Sequence, residues 1–197
     1  MLNGLLGKIV SILIAAAISG GASAMSEVEP WDAADAFFQD LSAWDKQTTM
    51  TYMDNKYVNF LENVKGTDEE MDRLEEALFR NFSYELEECA TKGEVAVVKV
   101  KVRNCDFGKI MDNYKKESYE YVTENLYSDD VIDKEKLNKK CLDIYLDQIE
   151  KTAGEEPSYE AEIFLPMEKD GYGGWRMILS DEIMKEVLGE LEIPTNE

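Results

Sequence analysis

The stretch "GEVAVVKVKVRN", residues 93 to 104, limits the folds open to this chain more than any other feature. Ala96, Val98, Val100 and Val102 alternate with Val97, Lys99, Lys101 and Arg103, a period of two that suits a strand with one dry and one wet face. Just before it, Phe82, Tyr84 and Leu86 alternate with Ser83, Glu85 and Glu87. The two runs flank a glycine and predict a hairpin. A two-residue loop at Lys92-Gly93 would set Tyr84 opposite Lys101 and Leu86 opposite Lys99, mixing the faces. A three-residue loop, Thr91-Lys92-Gly93, pairs Phe82 with Val102, Tyr84 with Val100 and Leu86 with Val98, with Gly93 in the left-handed conformation. That register also places Glu85 opposite Lys99 on the wet face.

Everything else in the chain is arranged around that hairpin. Pro30 at a helix start and Asp32 in its first turn open a segment with Trp31, Ala34, Phe37, Phe38, Leu41 and Trp44 at helical spacing. Met50, Met53, Tyr57, Phe60, Leu61 and Val64 predict a second helix, ended by Gly66. Thr67 and Glu70 have the spacing of a capping box ahead of a third, carrying Met71, Leu74, Ala77 and Leu78. After the hairpin, Asp106 is the expected cap of a helix through Ile110, Tyr114 and Tyr121. A further helix carries Leu137, Cys141, Ile144, Tyr145 and Ile149 and closes at Gly154. Tyr159, Ala161, Ile163, Leu165 and Met167 then return to a period of two, and Trp175, Met177 and Leu179 give a fourth strand. Ser180 caps a short last helix. The predicted class is α+β: a curved antiparallel sheet of about four strands packed against N-terminal helices, with a helical pair between two hairpins and a short C-terminal helix.

The N-terminal segment gives an address. Ile9 to Ile18 is an apolar run broken only by Ser11, too short for the roughly 20 residues a bilayer core requires. Lys8 precedes it, and Ala22-Ser23-Ala24 follows with the small-residue pattern of a signal peptidase site. Residues 1–24 therefore read as a signal peptide cut between Ala24 and Met25, and the chain as secreted or extracytoplasmic. The rival is an uncleaved anchor from Leu2 to Ala24, the one case that implies a membrane. Residues 25–29 are a short linker, 30–193 a single domain and 194–197 a tail.

With 21 Lys and Arg against 42 Asp and Glu, the formal net charge is −21, which repels nucleic acid and anionic lipid. Histidine is absent, which removes histidine-dependent triads. No phosphate-binding glycine loop occurs, and "GYGG" at 171–174 reads as a turn. Asp129, Asp130 and Asp133 lack EF-hand spacing and read as a charged turn and helix cap. No metal and no cofactor is expected.

The segments "DAFFQDLSAWD", "LFRNFSYELEE", "GEVAVVKVKVRNCDFGKIMDNY" and "GYGGWRMILSDEIMKEVLGEL" resemble bacterial extracytoplasmic domains of the cystatin-like, or nuclear-transport-factor-like, superfamily, including those carried on lipoproteins. The likeness runs from about Pro30 to Leu191. "ASAM" stands where a lipoprotein has its lipid-acceptor cysteine. The resemblance implies a sheet and helices enclosing a cone, which relatives fill, open to a ligand, or use for dimer contacts. Its enzymes move protons beside a carbonyl with residues inside the cone. Here that role falls to Glu88 with Tyr84 at most; otherwise Glu88 lies at the frayed hairpin end in water.

The aromatic residues offer a ligand pocket of Phe37, Tyr57, Tyr84, Val100, Trp175 and Met177, or simply a core. Cys89 near the hairpin loop and Cys105 beyond its far end are about 30 Å apart at ~3.3 Å per residue, too far to bridge. Cys105 with Cys141 is the one candidate disulfide; the alternative is buried thiols acting as small hydrophobes. Three functions stay open. The first is a non-catalytic interaction domain for an unknown protein partner or a second copy in a homodimer, which predicts an exposed apolar patch amid the acid. The second is a binder of a small apolar ligand in the cone, and the third an isomerase- or cyclase-like enzyme.

Overall fold

The computed structural model describes residues 28–43, 67–171 and 173–194. The expected second helix, with Tyr57, and the signal and cleavage positions Ala24 and Met25 lie outside the described residues. The class is α+β: a four-stranded antiparallel open sheet and, among the described residues, six helices. The helices are α1 (Pro30–Ser42), α2 (Asp68–Phe79), α3 (Ile110–Glu124), α4 (Asp129–Ile132), α5 (Lys134–Ala153) and α6 (Asp181–Val187). The strands are β1 (Ser83–Lys92), β2 (Val95–Asn104), β3 (Tyr159–Lys169) and β4 (Trp175–Met177), in the order β1-β2-β3-β4. β1 and β4 are therefore the edges. The chain divides into two compact units.

The first unit holds α1, β1, most of β2 and β3, β4 and most of α6. Pro30 starts α1 because its fixed φ suits a first helical residue that needs no N–H. Ala34, Phe37, Phe38 and Leu41, spaced three and four apart, are all buried, and α1 lies against β1 and β4. From the sheet come Ala96, Val98, Val100, Ile163, Leu165, Met167, Trp175 and Met177, likewise buried. β3 and β4 pair through Met167 with Met177, Glu168 with Arg176 and Lys169 with Trp175. Ser180 accepts a hydrogen bond from Ile183 N–H at 3.2 Å and so caps α6 as its spacing predicts.

The hairpin turn corrects one expectation. β1 runs on through Thr91 and Lys92, and the turn is Gly93-Glu94. Gly93 has φ 64°, as a left-handed turn residue should, but the loop begins two residues later than expected. Lys99 accordingly meets Glu87, at 2.7 Å, where Glu85 was expected to stand.

The second unit packs α2 against α5 and α3 against α5. The capping box at α2 forms: Thr67 N–H donates to Glu70 Oε2 at 2.5 Å and Glu70 N–H to Thr67 Oγ1 at 3.3 Å. Arg73 clasps α5 with two bonds to Glu150, 2.8 and 2.9 Å. Asp133 caps the start of α5, its Oδ1 accepting from Glu135 and Lys136 N–H, and the helix ends where Gly154 follows Ala153. Asp106 does not cap α3. Its Oδ1 accepts from Gly108 N–H two residues on, and the helix starts later, after Lys109. Asn104, 1% exposed, uses its whole amide: Nδ2 donates to the Leu78 and Val187 carbonyls and Oδ1 accepts from Cys105 N–H.

Candidate functional site

The alternation of β2 and β3 separates two faces of the first unit's sheet. Ion pairs establish which residues share the outer one. Lys99 Nζ lies 2.7 Å from Glu87 on β1 and 3.0 Å from Glu162 on β3. Lys101 Nζ lies 2.6 Å from Glu160, and Arg176 pairs with Glu168. Odd positions of β2 thus look the same way as even positions of β3 and of β4. Hydrogen bonds with Glu87 first and Glu162 second raise the Lys99 pKa above its ordinary value and keep it charged.

Among these ion pairs four apolar side chains are uncovered. Phe164 is 61% exposed, Val95 56%, Ile178 47% and Val97 39%. They belong to one surface, since Val97 precedes Lys99 by two residues, Phe164 follows Glu162 by two, and Ile178 N–H bonds to the Pro166 carbonyl at 2.8 Å. The face thus combines an exposed apolar centre with carboxylates and cations paired to one another.

The residues singled out for a pocket lie on the opposite face or at its margin. Phe37, Val100, Trp175 and Met177 are buried, and Tyr84 is half-buried. Tyr84 stacks on Phe38, ring centres 5.0 Å apart, and its hydroxyl donates to Asp35 Oδ1 at 2.8 Å. Gln39 Nε2 donates to the other oxygen of that carboxylate at 2.6 Å. Burial first, then the bond to Asp35, push the Tyr84 pKa up to about 12, so the phenol is a proton-bearing strut tying β1 to α1. Glu88, the residue paired with Tyr84 for proton transfer, is exposed, and the Tyr84 hydroxyl turns to Asp35.

The three cysteines are free thiols. Cys105 is buried, with Asn81 Nδ2 3.4 Å from its sulfur. Cys141 is half-buried beside Tyr114 and Ser118, and burial raises its pKa. Cys89 is exposed on β1. The Asp129, Asp130 and Asp133 stretch forms a short helix and a cap, with Asp130 bonded to Lys136 at 3.1 Å. Among the described residues no group of three or more Cys, Asp or Glu is disposed to hold a metal ion, and no helix is long and apolar enough to cross a membrane.

Sequence reasoning passed over Phe164, Pro166 and Ile178, counting them only as the exposed partners of the buried alternation. The signal was present: along the wet face of β3, Glu160, Glu162 and Glu168 are interrupted by Phe164, a residue type more often buried, and by Pro166, unusual in a strand paired on both sides.

A family model described as "Domain of unknown function (DUF5105)" matches residues 34–191 of this chain. No curated protein matches it. Among solved structures, the "Crystal structure of a putative lipoprotein (ycdA) from Bacillus subtilis subsp. subtilis str. 168" is similar, with 17% sequence identity and a TM-score of 0.46. The likeness covers 93% of this chain, which spans only 56% of the length of that protein.

Proposed function

We propose that the chain, which belongs to the DUF5105 family, is a non-catalytic interaction domain acting outside the cytoplasm, and that the outer face of its sheet receives a protein partner. The observation that carries this reading is Phe164, 61% exposed at the centre of an apolar patch whose neighbouring charges are already paired on the same chain. An acidic chain with net charge −21 does not favour nucleic acid or an anionic bilayer at that face, whereas a protein surface with complementary apolar side chains gains from covering it. The absence of histidine and the engagement of Tyr84 with Asp35 weigh against a proton-transfer site here. The antiparallel sheet with α1 across one face supports the cystatin-like cone reading of 30–193, and the segment ending in Ala22-Ser23-Ala24 supports export.

The test places a photoreactive benzoylphenylalanine at Phe164 in the full-length chain, expressed in its secreting host, with Lys151, exposed on α5, as the control position. The expected result is one adduct of defined mass at 164 and none at 151. The partner identified from that adduct then binds the purified protein at least tenfold more weakly after Phe164→Glu. Equal labelling at both positions, or unchanged affinity of Phe164→Glu, overturns the reading. Intact mass of the released protein tests the address: a species starting at Met25 supports cleavage, and a full-length membrane species makes 1–24 an anchor.

A further inference from the structure

The two sheet edges differ. β4 has three residues, too short to template another strand, whereas β1 has ten, and every residue from Glu87 to Lys92 is exposed. Among the described residues β2 is the only strand hydrogen-bonded to β1, so the other side of β1 is a sheet edge. Protein edges are commonly blunted by proline or a bulge, and β1 has no proline; it carries charge instead, in a pattern that selects what can pair with it.

We propose that the occupant of this edge is the β1 strand of a second copy, paired antiparallel about a two-fold axis with Cys89 of one copy opposite Cys89 of the other. A two-fold axis normal to the sheet makes like residues share a face, so the alternatives are few. An axis at Glu87 or at Glu88 sets a carboxylate directly against its own mate, which is unfavourable at 4.5–5.5 Å between Cβ atoms. An axis at Ala90 sets Glu88 directly against Lys92 but shortens the overlap to Glu88 through Lys92. With the axis at Cys89, seven residues overlap: Leu86 faces Lys92, Glu87 faces Thr91 and Glu88 faces Ala90, with no like charges opposed. Lys92 and Glu88 of each copy then both stand diagonal to Glu88 of the other, about 7–8 Å away, so the cation offsets the like-charge pair and is within reach of a long side chain. The Cys89 register is thus the longest overlap that opposes no like charges directly, and it keeps a cation within reach of each Glu88.

Directly opposed residues of an antiparallel pair have Cα atoms about 4.5–5.5 Å apart, within the span of a disulfide. In an oxidising compartment the Cys89 thiolate attacks a low-molecular-weight disulfide and displaces one thiol; the second copy's Cys89 thiolate attacks the mixed disulfide and displaces the other. Two protein thiols are oxidised, and one small disulfide is reduced to two thiols. Each copy carries a formal charge of −21, so association is opposed at low ionic strength and favoured by salt.

The test incubates the exported protein with oxidised glutathione and follows dimer formation by non-reducing electrophoresis and intact mass. The expected product is a dimer linked through Cys89, formed faster in 0.5 M NaCl than in 0.02 M, and absent in Cys89→Ser. In the Cys89→Ser background, Thr91→Cys should dimerise at least tenfold more slowly, because in this register its mate is about 13 Å away at ~3.3 Å per residue. Lys92→Glu in the otherwise native chain should slow the dimer and Glu88→Lys with Lys92→Glu restore it, the reciprocal swap that a random collision of exposed thiols does not reproduce. Equal rates at positions 89 and 91, or indifference to both charge changes, overturns the proposal. None of these readouts depends on the partner captured at Phe164, so the two readings fail separately.

Discussion

Along β2 the chain presents two chemistries one residue apart. Ala96, Val98 and Val100 on one side are buried with Phe37 and Leu41 of α1, and Val97, Lys99 and Lys101 on the other stand among glutamates and open apolar side chains. The inner face holds by area: apolar surface removed from water at about 25 cal/mol per Å², with packing that tolerates little change in volume. The outer face carries paired charges that add little stability and leaves Phe164 in water. Phe37 and Phe164, the same residue type, are thus assigned opposite tasks, one structural and one available for contact. The comparison teaches that one unit can hold an aromatic whose burial supports the fold on one face of its sheet and another, among paired ions, that the described fold leaves uncovered on the other.

The largest expected effect tests the inner half of that contrast. Phe37→Ala should cost about 3–5 kcal/mol, read as a fall in the urea midpoint, because it removes a buried ring and leaves a cavity. Leu165→Ala, inside the same core, should cost about 2–5 kcal/mol. Phe164→Ser should change stability by no more than about 0.5 kcal/mol while weakening binding of the partner captured at position 164 at least tenfold. If Phe164→Ser destabilises as Phe37→Ala does, the outer face is a core missing its cover, and the distinction collapses.

Tyr84→Phe examines the margin between the faces. Losing the bond to Asp35 should cost about 1 kcal/mol at neutral pH. The Tyr84 pKa is raised, to about 12 against about 10 for an unfolded tyrosine, so its contribution is complete below pH 10 and is lost as the pH rises toward 12. Denaturation at pH 9 and pH 11.5 should show the wild type losing more stability between the two than Tyr84→Phe does. An identical loss in both proteins would remove the hydroxyl from that role. The smallest effect belongs to the outer ion pairs. Lys99→Gln should move the urea midpoint only slightly, and less in 0.5 M NaCl than in 0.02 M, since salt screens a charge held at the surface. A large, salt-independent shift would show that the Lys99 network holds the sheet together.

Much of this division was legible in the sequence. The alternation of Ala96 to Val102 announced the buried face, Thr67 and Glu70 announced the start of α2, and Ser180 that of α6. These signals are local: they depend on spacing within a few residues and on side chains that bond their own backbone. The turn at Gly93-Glu94 escaped because a glycine with φ 64° fits more than one loop length, and the ladder on either side chose between them. Phe164 escaped because periodicity tells which face a residue takes and nothing about whether another element will cover it.

The sequence by itself determined the class, the alternation of helix and strand, the inner face of the sheet and the acidity that restricts partners, all consequences of period and composition. Tertiary structure alone decided that Phe164, Val95, Val97 and Ile178 stay uncovered, that Lys99 chooses Glu87 and Glu162, and that β1 is the long open edge. Gly189 shows the same division at one residue. In sequence it is an ordinary helix-ending glycine, but at φ 60° a Cβ there would lie 2.1 Å from the carbonyl oxygen of Cys105, far away in the chain. Local chemistry acts over a turn or a strand, whereas coverage, partner choice and close approach depend on which distant segments arrive at the same place.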